Sequence, residues 1–133
     1  MDKRHPACVT VGSVKPGRLT LIIVQGATFR RRFVWKAPRT VGGQPQARDL
    51  TGCAGRAQVR VGDRVALTFD SAPGADGTIT FGADGVIELV ADADVVARAT
   101  AGSGSWSLEV QEPAGDRVVL LQGQATIQRE ITR

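Results

Sequence analysis

The chain has 133 residues, a net charge of +4 and 42% hydrophobic residues, which suits one globular domain that buries roughly two thirds of its unfolded surface without a disulfide or a metal. That apolar share at so low a charge excludes a disordered chain, and sixteen glycines with six prolines favour short strands and many turns over long helices. The basic excess comes from fourteen arginines and three lysines spread from Arg4 to Arg133, so it permits an acidic partner without naming one.

The N-terminus MDKRHPACVT lacks the apolar core of a signal peptide, and no apolar run approaches the ~18 residues of a membrane span. The expectation is a protein without a signal peptide or membrane insertion, made and kept in a cytoplasm or assembled there into something larger. Cys8 and Cys53 have no CxxC spacing and, with the single His5, make no convincing zinc set, so both are read as reduced thiols. Residues 1–17 show neither helical nor paired-strand patterning and are expected to form an extended N-terminal arm, with 18–133 as the folded domain. Within the arm Val9, Val11 and Val14 could add a strand to a partner's sheet edge; the plain alternative is a frayed end.

Residues 18–25, RLTLIIVQ, form an apolar β-branched strand, and Gly26 connects it tightly to a second one in GATFRRRFVWKA. A period of two puts Phe29, Arg31, Phe33 and Trp35 on one face of that second strand and Arg30, Arg32, Val34 and Lys36 on the other. Only Arg31 is then out of place. Residues 37–47, with two prolines and a Gly-Gly pair, mark a surface loop. A strand from about Arg56 to Val61 follows, then a Gly62-Asp63 turn, then RVALTFD with Val65, Leu67 and Phe69 on one side.

The echo ADGTITFG, ADGVIELV reads as a hairpin, with Thr78 to Phe81 and Val86 to Val90 joined across Gly82-Ala83-Asp84-Gly85. Residues 91–99, ADADVVARA, are the one helical stretch, acidic in the first turn and with Arg98 near the end. Trp106 to Val110 alternate cleanly, EPAGD turns, and RVVLLQGQATIQREI gives one bent strand or two, with Gly123 at the bulge or bend. The sum is an all-β protein: a β-sandwich of seven to nine short antiparallel strands with one short helix. Its expected core is Phe29, Phe33, Trp35, Val59, Leu67, Ile79, Ile87, Trp106, Leu108 and Val110.

Catalysis has no visible carrier. The lone histidine sits in the first six residues, the acidic residues adjoin turns and strand ends, and no phosphate loop, dinucleotide fingerprint or calcium loop is present. The expectation is a non-enzyme with no catalytic residues, no metal and no cofactor. The cluster Arg30, Arg31, Arg32 and Lys36 admits three readings: a nucleic-acid site, a solvated basic face, or a protein interface that uses arginine. Bases stack on exposed aromatics, whereas the period sends Phe29, Phe33 and Trp35 toward the core, which disfavours nucleic acid.

The succession VQGATFRRRFVW at 24–35, DLTGCAGRAQVR at 49–60, the strands DGTITF and DGVIEL, the W-x-L-E-V strand at 106–110, the P-x-G turn at 113–115 and L-L-x-G at 120–123 resembles a group of small tailed-bacteriophage proteins. The likeness runs over about residues 19–131 and rests on order and spacing. It implies an immunoglobulin-like β-sandwich, similar to the N-terminal domain of phage baseplate upper proteins, and a structural role in the virion tail or baseplate. Its implied partners are other virion proteins and copies of itself around a symmetric assembly. A nucleic-acid-binding β-barrel and a capsid decoration protein of the same fold are the alternatives. Arg31 stands where that group usually carries an apolar residue, and Cys53 where an aromatic is common. A guanidinium on a core face must reach an anion or an edge. Arg31 is therefore expected near an open end of the sandwich, stacked on an aromatic such as Trp35 and paired with an acidic group in the chain or on an adjoining protein.

Overall fold

The computed structural model describes residues 7–10, 17–36, 50–82 and 84–130, the side chains of 7–10 and of Lys36 excepted. The described residues form ten strands and one helical turn: β1 (Ala7–Thr10), β2 (Gly17–Arg18), β3 (Leu21–Val24), β4 (Phe29–Lys36), β5 (Ala54–Val61), β6 (Arg64–Asp70), β7 (Gly77–Phe81), β8 (Val86–Ala91), α1 (Ala93–Ala97), β9 (Gly102–Gln111) and β10 (Arg117–Gln128). The protein is all-β. One hydrogen-bonded sheet runs in the order β1-β4-β8-β7-β6-β5-β9-β10-β2, and β3 pairs with β10 beyond β2.

That sheet is folded over on itself. Phe33 on β4 stacks on Trp106 of β9 with ring centroids 6.0 Å apart, and Phe29 on β4 meets Phe69 of β6 at 5.8 Å. Five steps of the sheet separate β4 from β9, about 24 Å if it were flat at ~4.8 Å per strand. The two halves therefore face each other as the layers of a sandwich do, while remaining joined through β6 and β7. The strands among the described residues number ten rather than seven to nine. They are also not all antiparallel: β1 runs parallel to β4, β2 and β3 run parallel to β10, and β6 runs parallel to β7. The first and last parts of the chain meet side by side in one direction, a long-range pairing that no local turn signal announces.

The layers change over at the β6–β7 corner. Only Phe69 and Asp70 pair with Gly77 and Thr78. The carboxylate of Asp76 accepts the Thr68 N–H at 2.9 Å, and Ser71 is tied to Gly55 through both its N–H and its hydroxyl at 3.0 Å. Gly77 is obligatory here, because a Cβ would run into the Phe69 ring and lie 2.6 Å from the Val90 carbonyl oxygen.

All ten expected core residues are buried, from Phe29 at 8% exposure to Phe33, Val59, Ile87, Leu108 and Val110 at 0%. Leu21, Ile23, Leu50, Phe69, Leu89, Leu121 and Ile127 complete the same cluster. One residue departs from its expected face: Val65 is 42% exposed. Between the Val59↔Leu67 and Arg60↔Val65 pairs β6 carries an extra residue, Ala66, and a bulge of one residue turns the preceding side chain to the other face. β10 has its own bulge between Val119 and Leu121, which lets the consecutive Leu120 and Leu121 both face inward. Gly123, expected at the bend, is instead in regular register with Trp106.

The helix is a single turn, shorter than 91–99. Asp92 precedes it in extended conformation without a side-chain cap, and Val96 is fully buried. It carries the chain from β8 in one layer to β9 in the other and packs against β3. Gln25 fixes that side of the fold, donating its Nε2 hydrogen to the Ala99 carbonyl at 2.8 Å and accepting the Glu130 N–H at 3.3 Å.

Candidate interaction surface

The arginines of β4 divide as the strand period requires. Arg30 and Arg32 are exposed on the outer face and share one carboxylate: Glu88 of β8, directly opposite Arg32, lies 3.6 Å from the Arg32 Nε and 4.0 Å from the Arg30 Nε. Exposed pairs of this kind stabilise little. Their arrangement is that of a solvated face left with one unbalanced positive charge. Lys36 ends the strand, opposite Thr10. Val9 aligns with Trp35 because Ala7–Thr10 adds a strand to the protein's own β4; Val11 and Val14, like His5, lie outside the described residues.

Arg31 faces inward. Its guanidinium carbon is 5.9 Å from the ring centroid of Phe33, so the aromatic beneath it is Phe33 rather than Trp35. Its Nε is buried and has no hydrogen-bond partner. The expected acidic partner within the chain is absent among the described residues.

The reason Arg31 is tolerated lies at the open long side of the folded sheet, where β3 and β4 diverge from the turn at 25–28. β1 covers only Phe33 to Lys36 of β4, so the Phe29–Arg32 half has no strand on that side among the described residues. β3 is an edge strand as well, paired among the described residues with β10 alone. Gln25 and Leu19 give their N–H groups to β10, and by the alternation of a parallel ladder the N–H and C=O of Ile22 point away from it. Between the two edges lies a cavity of about 390 Å³, lined by residues that include Thr20, Leu21, Ile22, Val24, Phe29 and Arg31. Ile22 and Val24 stand beside it with 58% and 41% exposure, two of the four large hydrophobic side chains exposed among the described residues. The strand RLTLIIVQ announced its apolarity in the sequence; that it would be an edge with a bare outer face did not show.

A second depression carries charge of both signs, with Arg56, Asp70, Glu109 and Arg117 in its wall. Asp70 is held below the ordinary carboxylate value, first by the Ala72 N–H that its Oδ1 accepts at 2.9 Å, against a smaller opposing effect of burial, and further by the Arg56 Nε 3.0 Å from its Oδ2. A carboxylate lowered in the folded state stabilises the fold above its unfolded pKa of ~3.9, and that stabilisation is lost as the pH falls through the lowered value. The gap in melting temperature between the parent and Asp70→Asn is therefore expected to be widest near neutral pH and to close as the pH falls through the lowered value. A gap unchanged over that range would show that the charge of Asp70 contributes nothing. Among the described residues no group of three or more His, Cys, Asp or Glu side chains could hold a metal ion, and no helix is long and apolar enough to cross a membrane.

No protein-family model and no curated protein matches this sequence. Among solved structures, one similar chain is a Bacteroides ovatus protein of a mixed-linkage glucan utilization locus, SGBP-B, in complex with a mixed-linkage heptasaccharide, at 13% identity and a TM-score of 0.37. The likeness covers 96% of this chain and 24% of that one, too distant a match to bear on what this chain binds.

Proposed function

We propose that the protein is a non-enzymatic structural component of a tailed-bacteriophage particle, in its tail or baseplate, and that it binds other virion proteins through the open side of its sheet. The observation that carries the binding half of this reading is the pair of strand edges, β3 and the first half of β4, that have no partner among the described residues, with Ile22 and Val24 exposed beside them. Free edges add strands from other chains. The order of sequence segments over residues 19–131 carries the virion half.

The same features weigh against a nucleic-acid-binding barrel. Phe29, Phe33 and Trp35 are at most 8% exposed, so they offer bases nothing to stack on, and Glu88 offsets one of the two charges of Arg30 and Arg32. Two measurements test the reading. Antibody against the protein is expected to label gradient-purified phage particles from the producing culture, and the purified protein is expected to show no steep salt-dependent binding to a random DNA duplex. Particles free of the protein, or a steep salt slope on DNA, would overturn it.

A further inference from the structure

We propose that the β3–β4 groove receives an extended segment of a partner protein bearing an Asp or Glu side chain, whose carboxylate seats on Arg31. This rests on the reading of the protein as a binder of other proteins and specifies what that site takes.

Three observations converge on the groove. The first is Arg31 itself, a permanent cation whose Nε is buried and unpartnered. A buried donor without an acceptor is costly to keep, and an apolar side chain such as leucine would avoid that cost. A ligand carboxylate would supply the missing acceptor, and the planar guanidinium fork matches it in geometry. The second is charge. Arg30 and Arg31 line the cavity and no carboxylate does among the described residues, so an acidic segment is complementary and a basic one is repelled. The third is the backbone. Ile22 presents an N–H and a C=O to the groove, and β3 is four residues long, the length over which an added strand would pair at ~3.3 Å per residue. Alternate side chains of that strand would cover Ile22 and Val24 on one side, while those on the other would point into the cavity toward Arg31. A second copy of this chain does not fit as well, because the edge strands it would bring among the described residues, β1, β2, β3 and β4, carry no acidic residue.

The test uses fluorescein-labelled heptapeptides of alternating Val and Ser with Glu, Gln or Lys at the centre, titrated against the full chain by fluorescence polarisation. The Glu peptide is expected to bind at least tenfold more tightly than the Gln peptide, and the Lys peptide not to bind. Arg31→Leu should erase the preference for Glu while melting at the parent's temperature or above, since it removes a half-buried side chain whose buried Nε has no acceptor. Ile22→Lys, at an exposed position, should weaken all binding and leave the melt unchanged. Equal binding of the Glu and Gln peptides, an undiminished preference in Arg31→Leu, or no peptide binding up to millimolar concentration would overturn the proposal. So would tight binding of a DNA duplex that Arg31→Leu abolishes. Failure here differs from failure of the wider reading: peptides that do not bind, with the parent chain still present in purified particles, reject the groove and leave the virion role standing.

Discussion

Replacement of Trp35 by alanine is expected to lower stability by about 3–5 kcal/mol, the cost of removing a large aromatic from a core that cannot collapse around the space. Trp35 is 1% exposed and lies at the C-terminal part of β4, where its backbone N–H donates to the Gly85 carbonyl at 2.8 Å. It belongs to the cluster in which Phe33 of the same strand stacks on Trp106 from the opposite layer. A loss of this size is a large part of the ~5–15 kcal/mol that holds an ordinary domain together, so the variant should be partly unfolded at growth temperature. Urea unfolding gives the readout, with Val119→Ala as a comparison, because Val119 is 41% exposed and surface changes usually stay within about 0.5 kcal/mol. A Trp35 variant whose midpoint matches that of Val119→Ala would show that the β4 register is wrong.

Gly123→Ala is the second large effect. Gly123 pairs with Trp106 across β10 and β9, and a Cβ on it would overlap the carbonyl oxygen of Leu19. That oxygen is the acceptor of the Trp106 indole N–H at 2.8 Å, and the Leu19 N–H donates to the Gln122 carbonyl at 3.1 Å. The obstacle is backbone, pinned on both sides of the break between β2 and β3, so it cannot swing away as the tip of a side chain would. Overpacking of this kind costs about 1–3 kcal/mol, and the strained indole hydrogen bond adds about 1 kcal/mol. Beyond the lowered midpoint, hydrogen exchange should quicken at the Gln25 N–H that holds β3's end to β10 and remain slow in the β7–β8 hairpin. Unaltered exchange at Gln25 would mean that Leu19 yields freely and that β3 is not seated by this contact.

Much of the fold was legible because period two is a local property. Phe29, Phe33 and Trp35 on one face of β4, and Trp106, Leu108 and Val110 on β9, could be assigned from alternation alone, and the Gly82–Gly85 turn from its own residues. What escaped was non-local. The inward place expected for Val65 failed because Ala66 inserts a bulge whose cause is the pairing with β5, which RVALTFD does not contain. Gly123 drew attention for the right residue and the wrong reason, since its partner Leu19 lies about a hundred positions away in the chain. The candidate surface divided in the same way. Arg30 and Arg32 on the solvent face followed from the period, and so did the anomaly of Arg31. The groove that accommodates Arg31 depends on β3 pairing with the last strand and having no partner on its other edge among the described residues. A run such as RLTLIIVQ looks the same whether a sheet covers it on both sides or on one.

The central claim, that the open side between β3 and β4 is where this protein meets a partner, is tested most directly by site-specific photo-crosslinking in assembled particles. A benzophenone amino acid at position 22, exposed and beside the groove, and another at position 103, exposed on β9, would each be incorporated and irradiated in gradient-purified phage. The expected result is a crosslink from position 22 to an acidic extended segment of another virion protein, weakened by Arg31→Leu, with none to that segment from position 103. Crosslinks to that protein from position 103 alone, or from position 22 to nucleic acid, would contradict it.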